Sequence, residues 1–240
     1  MKQFAWLGIV RHGQSTGNVA ADHAEGSGIE EIDIPERDAD VPLSPTGRHQ
    51  AEAVGAFVRR MDQPPEIAVA SPYLRARQTA ELALSGLAVP LVVDERLRDR
   101  ELGVLDLLTN AGVQARLPDE ARRRARLGKF YYRPPGGESW ADVLLRLRSL
   151  MRELREDHPG GRVLLFAHEA TVLLVRSLAE GLSEPELMTI ARGTAIANCS
   201  ISTWRGDGEA LVPEQFNDVG HLDRHGAPAT EQEDVHAEPA

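Results

Sequence analysis

Two short apolar runs in this chain end directly on histidine, and no other feature constrains the fold as much. Ala5-Trp6-Leu7-Gly8-Ile9-Val10 leads into Arg11-His12-Gly13, and Val163-Leu164-Leu165-Phe166-Ala167 leads into His168-Glu169. Runs this short and this apolar, bounded by polar segments, read as strands buried on both faces. Such strands belong to parallel sheets covered by helices. Helical segments alternate with them. Ser44-Pro45-Thr46-Gly47 opens a helix in which Ala51, Val54, Phe57 and Val58 recur at helical spacing, and Pro64-Pro65 closes it. Ile67–Ala70 reads as a second strand, followed by a helix from Ser71-Pro72 to about Ser85-Gly86, and Leu91–Val93 as a third. Glu138-Ser139 opens a long helix with Val143, Leu144, Leu147, Leu150, Met151 and Leu154 on one face, and another helix covers about 170–181. Residues 199–204 and 210–216 read as a closing strand pair. The alternation predicts a three-layer α/β/α fold with a mainly parallel central sheet.

Two segments depart from that rhythm. Residues 20–42 are polar, carry Gly26, Gly28, Pro35 and Pro42, and read as a long loop. Residues 94–137 are rich in arginine, with Arg116, Arg122, Arg123, Arg124, Arg126, Lys129 and Arg133 close together, and read as a helical lid inserted into the domain. The domain is expected to span 1–216. Residues 217–240 hold six acids and one base, half of the net charge of −10, and are expected to form an acidic, disordered tail.

Charge and cysteine content narrow the function. A net charge of −10 disfavours nucleic-acid partners, which require a basic face. Cys199 is the only cysteine, so no intramolecular disulfide forms and a reducing compartment is expected. No run approaches the roughly 18 apolar residues of a membrane span, and the N-terminal segment lacks a cleavage site for a signal peptide. The expectation is a cytoplasmic protein with no membrane partner. Oligomeric state is not legible.

Ligands of open parallel sheets bind beyond the carboxyl ends of the strands, which is where both histidines fall. Beside His12 stand Arg11, whose planar fork matches phosphate oxygens, and Gly13, which permits close backbone approach. Ser15, Thr16 and Asn18 follow as neutral donors. Arg75 sits in the first turn of the helix after the second strand, an unfavourable place for a cation unless an anion lies nearby. Asp99 and Glu101 flank Arg100 in the loop after the third strand. Two arginines, two histidines and a carboxyl group around one phosphoryl group suffice for phosphoryl transfer. A neutral imidazole attacks phosphorus, the arginines and the other histidine hold the developing charge, and the carboxylic acid protonates the leaving oxygen. No cysteine, histidine or acid cluster has zinc-type spacing, so neither a metal nor another cofactor is expected.

The segment Arg11-His12-Gly13-Gln14-Ser15 with Asn18 resembles the signature of the histidine phosphatase superfamily, in the branch that includes cofactor-dependent phosphoglycerate mutase. The resemblance continues in order through Ser44-Pro45-Thr46-Gly47 with Gln50-Ala51, Ser71…Arg75-Ala76…Thr79-Ala80, Leu97…Asp99…Gly103, Pro135-Gly136-Gly137-Glu138-Ser139 and Phe166-Ala167-His168. It implies a phosphoglycerate mutase-like fold and a phosphohistidine at His12. Arg11, Arg75 and His168 would complete the phosphate pocket. Asn18 would lie near the phosphate, and Glu138 at the pocket rim. Counting back from Gly103, the proton donor falls on Asp99, one methylene shorter than the glutamate more usual there, with Glu101 as the fallback. Glu169 stands where the family usually has glycine.

The expected activity is hydrolysis of a small phosphomonoester without metal. The spacing of the Arg-rich segment does not resemble the mutase pattern, and Phe130-Tyr131-Tyr132-Arg133 suggests an aromatic cap. The alternatives are a phosphoglycerate mutase-type phosphotransferase and a non-catalytic phospho-ligand binding protein on the same fold. The complete set of His12, His168, Arg11 and Arg75 weighs against the last.

Overall fold

The computed structural model describes residues 3–231. Among them, six strands form one sheet: β1 (Trp6–Arg11), β2 (Ile67–Ala70), β3 (Leu91–Val93), β4 (Arg162–Ala167), β5 (Ile201–Gly206) and β6 (Leu211–Asp218). The spatial order is β3-β2-β4-β1-β5-β6. The first four strands run parallel, and β5 is antiparallel to both of its neighbours. The helices are α1 (Thr16–Gly26), α2 (Pro45–Arg59), α3 (Leu74–Ala83), α4 (Asn110–Arg116), α5 (Pro118–Tyr131), α6 (Trp140–Asp157), α7 (Glu169–Glu180), α8 (Glu184–Gly193) and α9 (Gly220–His225).

The three layers follow from strand alternation. Val163, Leu165 and Ala167 of β4, with Leu7 and Ile9 of β1, pack with the apolar stripe of α6, with α7 and with Leu187 of α8. The intervening Leu164 and Phe166, with Trp6 and Val10, pack with Ala51, Val54 and Val58 of α2, with α3 and with Leu222 of α9. Both faces of the central strands are therefore apolar, which is why their sequences are continuous apolar runs. The edge strand β3 is different, since Val92 and Val93 are about half exposed. The lid holds α4 and α5 over a small core of its own, built from Leu105, Leu108, Val113 and Tyr132.

The structure corrects two expectations. Residues 20–26 are not loop but the second half of α1. Ser15 and Asn18, read from the sequence as donors to a ligand, form a capping box that starts this helix, and Ala21 and Ala24 bury its inner face with Ile32. The expected tail is also partly wrong. Strand β6 runs to Asp218, α9 follows, and Leu222 and Ala227 are buried in the core on the α2 side. Gln50 Nε2 then donates to the Pro228 carbonyl at 2.8 Å and to Thr230 Oγ1 at 2.9 Å. A few apolar side chains at the right spacing outweigh the acidic composition of this stretch. The part of the expected tail from 232 to 240 lies outside the described residues.

Candidate active site

The register of β1 against β4 pairs Arg11 with Ala167, so the next residue of each strand is a histidine beside the other. The rings of His12 and His168 lie 5.2 Å apart between centroids. The His12 amide donates to the Ala167 carbonyl at 2.9 Å, which extends the ladder by one step. His12 Nδ1 lies 2.8 Å from the Gly13 carbonyl oxygen. A carbonyl only accepts, so the ring proton sits on Nδ1 and Nε2 keeps its lone pair. Burial, followed by the charges of Arg75, His168 and Arg11, holds the His12 pKa well below its usual 6.5. The imidazole is thus neutral and nucleophilic at physiological pH.

Arg75, from the first turn of α3, is buried. Its Nη1 donates to the backbone and side chain of Asp38, at 2.6 and 2.8 Å, and its Nη2 donates to Asp99 Oδ2 at 2.9 Å. Burial opposes the charge on Arg75, and the two carboxylates more than offset it. The guanidinium also lies 5.1 Å from the centre of the Tyr73 ring. On the other side, Arg11 Nη1 donates to the Ile196 carbonyl, and Arg11 Nη2 lies 3.7 Å from Glu169 Oε2.

Asp99 Oδ2 also lies 3.1 Å from His168 Nδ1, close enough for charge attraction but poorly aligned for a hydrogen bond. The opposite edge of that ring, Nε2, sits 2.7 Å from Ser71 Oγ. A carboxylate facing Nδ1 favours the proton there, so Nε2 accepts from the serine hydroxyl. For Asp99 itself, burial pushes the carboxyl up, but His168, Arg75 and His12 together hold it well below the usual carboxylate range. With Arg75 fixed in charge and Arg100 N–H donating to Oδ1 at 2.8 Å, Asp99 is ionised in this state. Burial lowers the His168 pKa despite the opposing pull of Asp99.

The structure therefore brings His12, Arg11, Arg75, Asp99 and His168 together. A pocket of about 200 Å³ is lined by the first four and by Asn18, and His168, which is not a wall residue, touches it through His12 and Asp99. Asn18 reaches that wall, but its Oδ1 accepts the Ser15 amide at 2.9 Å in the capping box. Glu101 is exposed and is not a wall residue, so of the two acids that flank Arg100 only Asp99 lines the pocket.

Three assignments change. Glu138 is not at the rim. It accepts from Arg98 at 2.6 Å and from Arg146 at 3.1 Å, and so ties the 98–101 loop to α6. Gly13 does not serve close approach to a ligand. Its amide donates to Thr79 Oγ1 at 3.0 Å, and an added Cβ would lie 2.5 Å from the Gly47 carbonyl oxygen, so the glycine is needed where this loop meets α2. The aromatic segment does not cap the site. Phe130 and Tyr132 are buried in separate clusters, and Tyr131 is exposed. The pocket's apolar wall comes instead from Ile32, Ile34, Val41, Leu102, Leu107 and Leu108. The Arg-rich face does not supply the pocket either. Arg116 pairs with Glu30 and Glu31, and Arg122 and Arg123 pair with Asp119 and Glu120 on their own helix.

Several supporting residues gave no recognisable sequence signal. Asp38 lies in a polar segment that resembles solvent-exposed loop. Asn198 Nδ2 donates to the His12 carbonyl at 3.1 Å, and the Cys199 amide donates to the Arg11 carbonyl at 3.0 Å. Asn217 and Thr230, both assigned to the tail, hold that 195–199 loop through Ala195, Ala197 and Asn198. Among the described residues, no group of three or more His, Cys, Asp or Glu side chains is placed to hold a metal ion, and no helix is long and apolar enough to cross a membrane.

Comparison with known proteins places the chain in a family. A protein of Photorhabdus laumondii carrying the name "Probable phosphoglycerate mutase GpmB" is 27% identical over 224 residues, covering 90% of this chain and 94% of its own. The 2,3-bisphosphoglycerate-dependent phosphoglycerate mutase 2 of Gloeobacter violaceus is 31% identical over 76% of this chain and 79% of its own. A Mycobacterium tuberculosis protein named as bifunctional is 31% identical over 75% of this chain, which spans only 48% of that longer relative. Among solved structures, mycobacterial glucosyl-3-phosphoglycerate phosphatase in complex with VO3 superposes with a TM-score of 0.72 at 27% identity, covering 90% of this chain and all of its own. The model of the histidine phosphatase superfamily (branch 1) matches residues 7–219, and the chain belongs to that superfamily.

Proposed function

We propose that this protein hydrolyses a small phosphomonoester through a phosphohistidine on His12, without a metal ion. The observation that carries the reading is the state of His12, a buried neutral imidazole with its proton on Nδ1 and its Nε2 lone pair available beside two guanidinium groups. In the first step Nε2 attacks phosphorus and the P–O bond to the alcohol breaks. Arg11, Arg75 and the Nδ1–H of His168 hold the charge on the phosphoryl oxygens. Asp99 gives the leaving alkoxide its proton. In the second step water attacks the phosphohistidine, Asp99 takes a proton from that water, and inorganic phosphate leaves with His12 restored.

His168 and Arg75 keep Asp99 ionised, so its role as an acid depends on what a bound phosphoryl group does to that pairing. An arriving phosphoryl group competes for Arg75 and adds negative charge beside the carboxylate. Both effects raise its pKa and favour the protonated form the first step needs.

Hydrolysis is favoured over mutase chemistry by the charge of the pocket wall. Its cations are Arg11, Arg75 and Arg100, and Arg100 turns its Nε to the Glu138 carbonyl at 2.7 Å. A mutase acting on phosphoglycerate must bind a carboxylate as well as the phosphoryl group. A purely binding role is disfavoured because a neutral nucleophile with an adjacent carboxyl group adds nothing to affinity. The test is acid-quench trapping with a ³²P-labelled monoester, with a mutase assay alongside. The expected result is an acid-labile, alkali-stable phosphoenzyme that disappears in His12→Ala together with turnover. Full activity of His12→Ala overturns the proposal, and isomerisation without hydrolysis overturns the preference for a phosphatase.

A further inference from the structure

We infer that the leaving-group side of this pocket selects phosphomonoesters whose alcohol is uncharged or cationic, and rejects those carrying a second anionic group. The inference rests on the reading of the phosphoryl end given above and concerns the remainder of the same pocket. Past Arg11, His12, Arg75 and Asp99, the wall is mostly aliphatic, with the short polar side chains of Ser15 and Asn18, with Arg100, and with three carboxylates, Asp38, Asp106 and Glu169. The aliphatic residues come from two segments that clamp together. The Ile32 amide donates to the Leu107 carbonyl at 2.8 Å, and Glu31 bridges to Leu108. Leu107 holds a left-handed backbone, φ 60°, in that clamp. A branched residue adopts this conformation only where its surroundings impose it, and here it sets Asp106 and Leu107 in the pocket wall.

The charges decide which alcohols fit. With Asp99 included, four carboxylates face three guanidinium groups. Each guanidinium already has a task. Arg75 faces the phosphoryl end, Arg11 lies beside His12, and Arg100 donates to the carbonyl oxygens of Glu138 and Tyr132. A bound phosphoryl dianion uses the first two and makes the pocket more negative still. A second anion on the alcohol would then meet carboxylates on a largely apolar wall, where Arg100 is already turned toward the Glu138 and Tyr132 carbonyl oxygens. Asp106 supplies the clearest test. Among the described residues its side chain accepts only from the Leu107 amide next to it, at 3.1 Å, and burial followed by the charge of Asp38 pushes its pKa up. An ammonium group there would relieve the repulsion between the two carboxylates. Glu169, where the family usually has glycine, adds charge of the same sign to the wall beside Arg11.

Three aryl phosphates whose charged groups stand two methylenes from the ring, and so differ little in leaving-group acidity, isolate this effect: 4-(2-aminoethyl)phenyl, 4-ethylphenyl and 4-(2-carboxyethyl)phenyl phosphate. The expected order of kcat/KM is cationic, then neutral, then anionic, with the outer two separated by about tenfold or more and the gap shrinking as salt is added. Asp106→Asn should narrow that ratio and Asp106→Lys should invert it, and a melting curve for each variant confirms that it is folded. If the neutral ester is hydrolysed and the anionic ester is turned over as fast as the cationic one, the inference is overturned while the phosphatase reading stands. If none of the three is hydrolysed, the reading beneath it has failed.

Discussion

Replacing Asp99 with Asn keeps the outline of the side chain and removes its capacity to protonate a leaving alkoxide. A positioned general acid contributes roughly 10²- to 10⁴-fold, which corresponds to about 3–5 kcal/mol of barrier. The loss must depend on the leaving group. Glycerol phosphate expels a strongly basic alkoxide and should lose that full factor in kcat. A 4-nitrophenyl ester expels a stable anion and should lose less than about tenfold. The variant should still fold, because Arg75 keeps two bonds to Asp38 and an amide oxygen can still accept from Nη2. Losing one charge-assisted bond at a side chain that is 26% exposed should cost about 1 kcal/mol, and thermal unfolding would read it. The pH profile adds a second check. Burial keeps His12 neutral well below pH 6.5, so the nucleophile does not limit the rate on the mildly acidic side. The alkaline fall in glycerol phosphate turnover then belongs to Asp99, and Asp99→Asn should flatten it. Glu101→Gln, at an exposed side chain outside the pocket, should leave the leaving-group dependence unchanged. Equal losses on both esters in Asp99→Asn, or a loss that moves to Glu101→Gln, would refute the assignment of the acid.

Three other outcomes follow from the structure. Gly47→Ala would place a Cβ 2.0 Å from the Gln14 carbonyl oxygen, against backbone that cannot rotate aside. It should cost about 1–3 kcal/mol or more in stability and lower kcat by moving the His12 loop, and an unchanged melting temperature would contradict the packing described. Glu138→Ala leaves Arg98 and Arg146 without their shared carboxylate, which for a largely buried group should cost about 2–3 kcal/mol. Because Arg146 Nη2 also donates to the Asp99 carbonyl at 3.0 Å, kcat should fall more than KM rises. Finally, burial lowers the His221 pKa to about 4. The folded state resists a proton that the unfolded state accepts, so stability is full above pH 6.5 and falls as pH drops toward 4. At about 1.4 kcal/mol per pKa unit the loss is roughly 3 kcal/mol. Denaturant titrations at pH 7 and pH 4 should show His221→Gln gaining by that amount relative to the parent, and a constant difference would contradict the shift.

The residues that touch the pocket were more legible than those that hold them there. A strand buried on both faces leaves a continuous apolar run, and a reactive residue at its carboxyl end stands out against it; β1 with His12 and β4 with His168 are of this kind. Arg75 was legible for a related reason, since a cation in the first turn of α3 opposes the helix dipole. Ser15 and Asn18 line the pocket but also cap α1, a second use hidden in the sequence because capping and ligand binding call for the same short polar side chains. Glu138 was misread because an acid near a helix start satisfies three explanations at once, and only coordinates reveal Arg98 and Arg146 around it. The C-terminal stretch shows the deeper limit. Composition averages over a window, whereas Asn217, Leu222 and Thr230 act singly, at distances in sequence that no local pattern spans.

That last case bears on how the site is built. The 195–199 loop binds the Arg11 guanidinium through the Ile196 carbonyl and the His12 carbonyl through Asn198, and it is itself fixed by Asn217 and Thr230. Cys199 within it takes a left-handed φ of 54° while its amide donates to the Arg11 carbonyl. A non-glycine residue holds that conformation only where its surroundings outweigh the cost, and here those surroundings are the buried end of β1 and the chain that returns after β6. His12, the proposed nucleophile, therefore depends on contacts from β4 and from the chain that returns after β6. Phosphoryl transfer needs the attacking nitrogen fixed to within a few tenths of an ångström, and a strand end secured on one side only would not hold it so closely. The neighbouring β4 supplies one anchor through Ala167, and the returning C-terminal segment supplies the other.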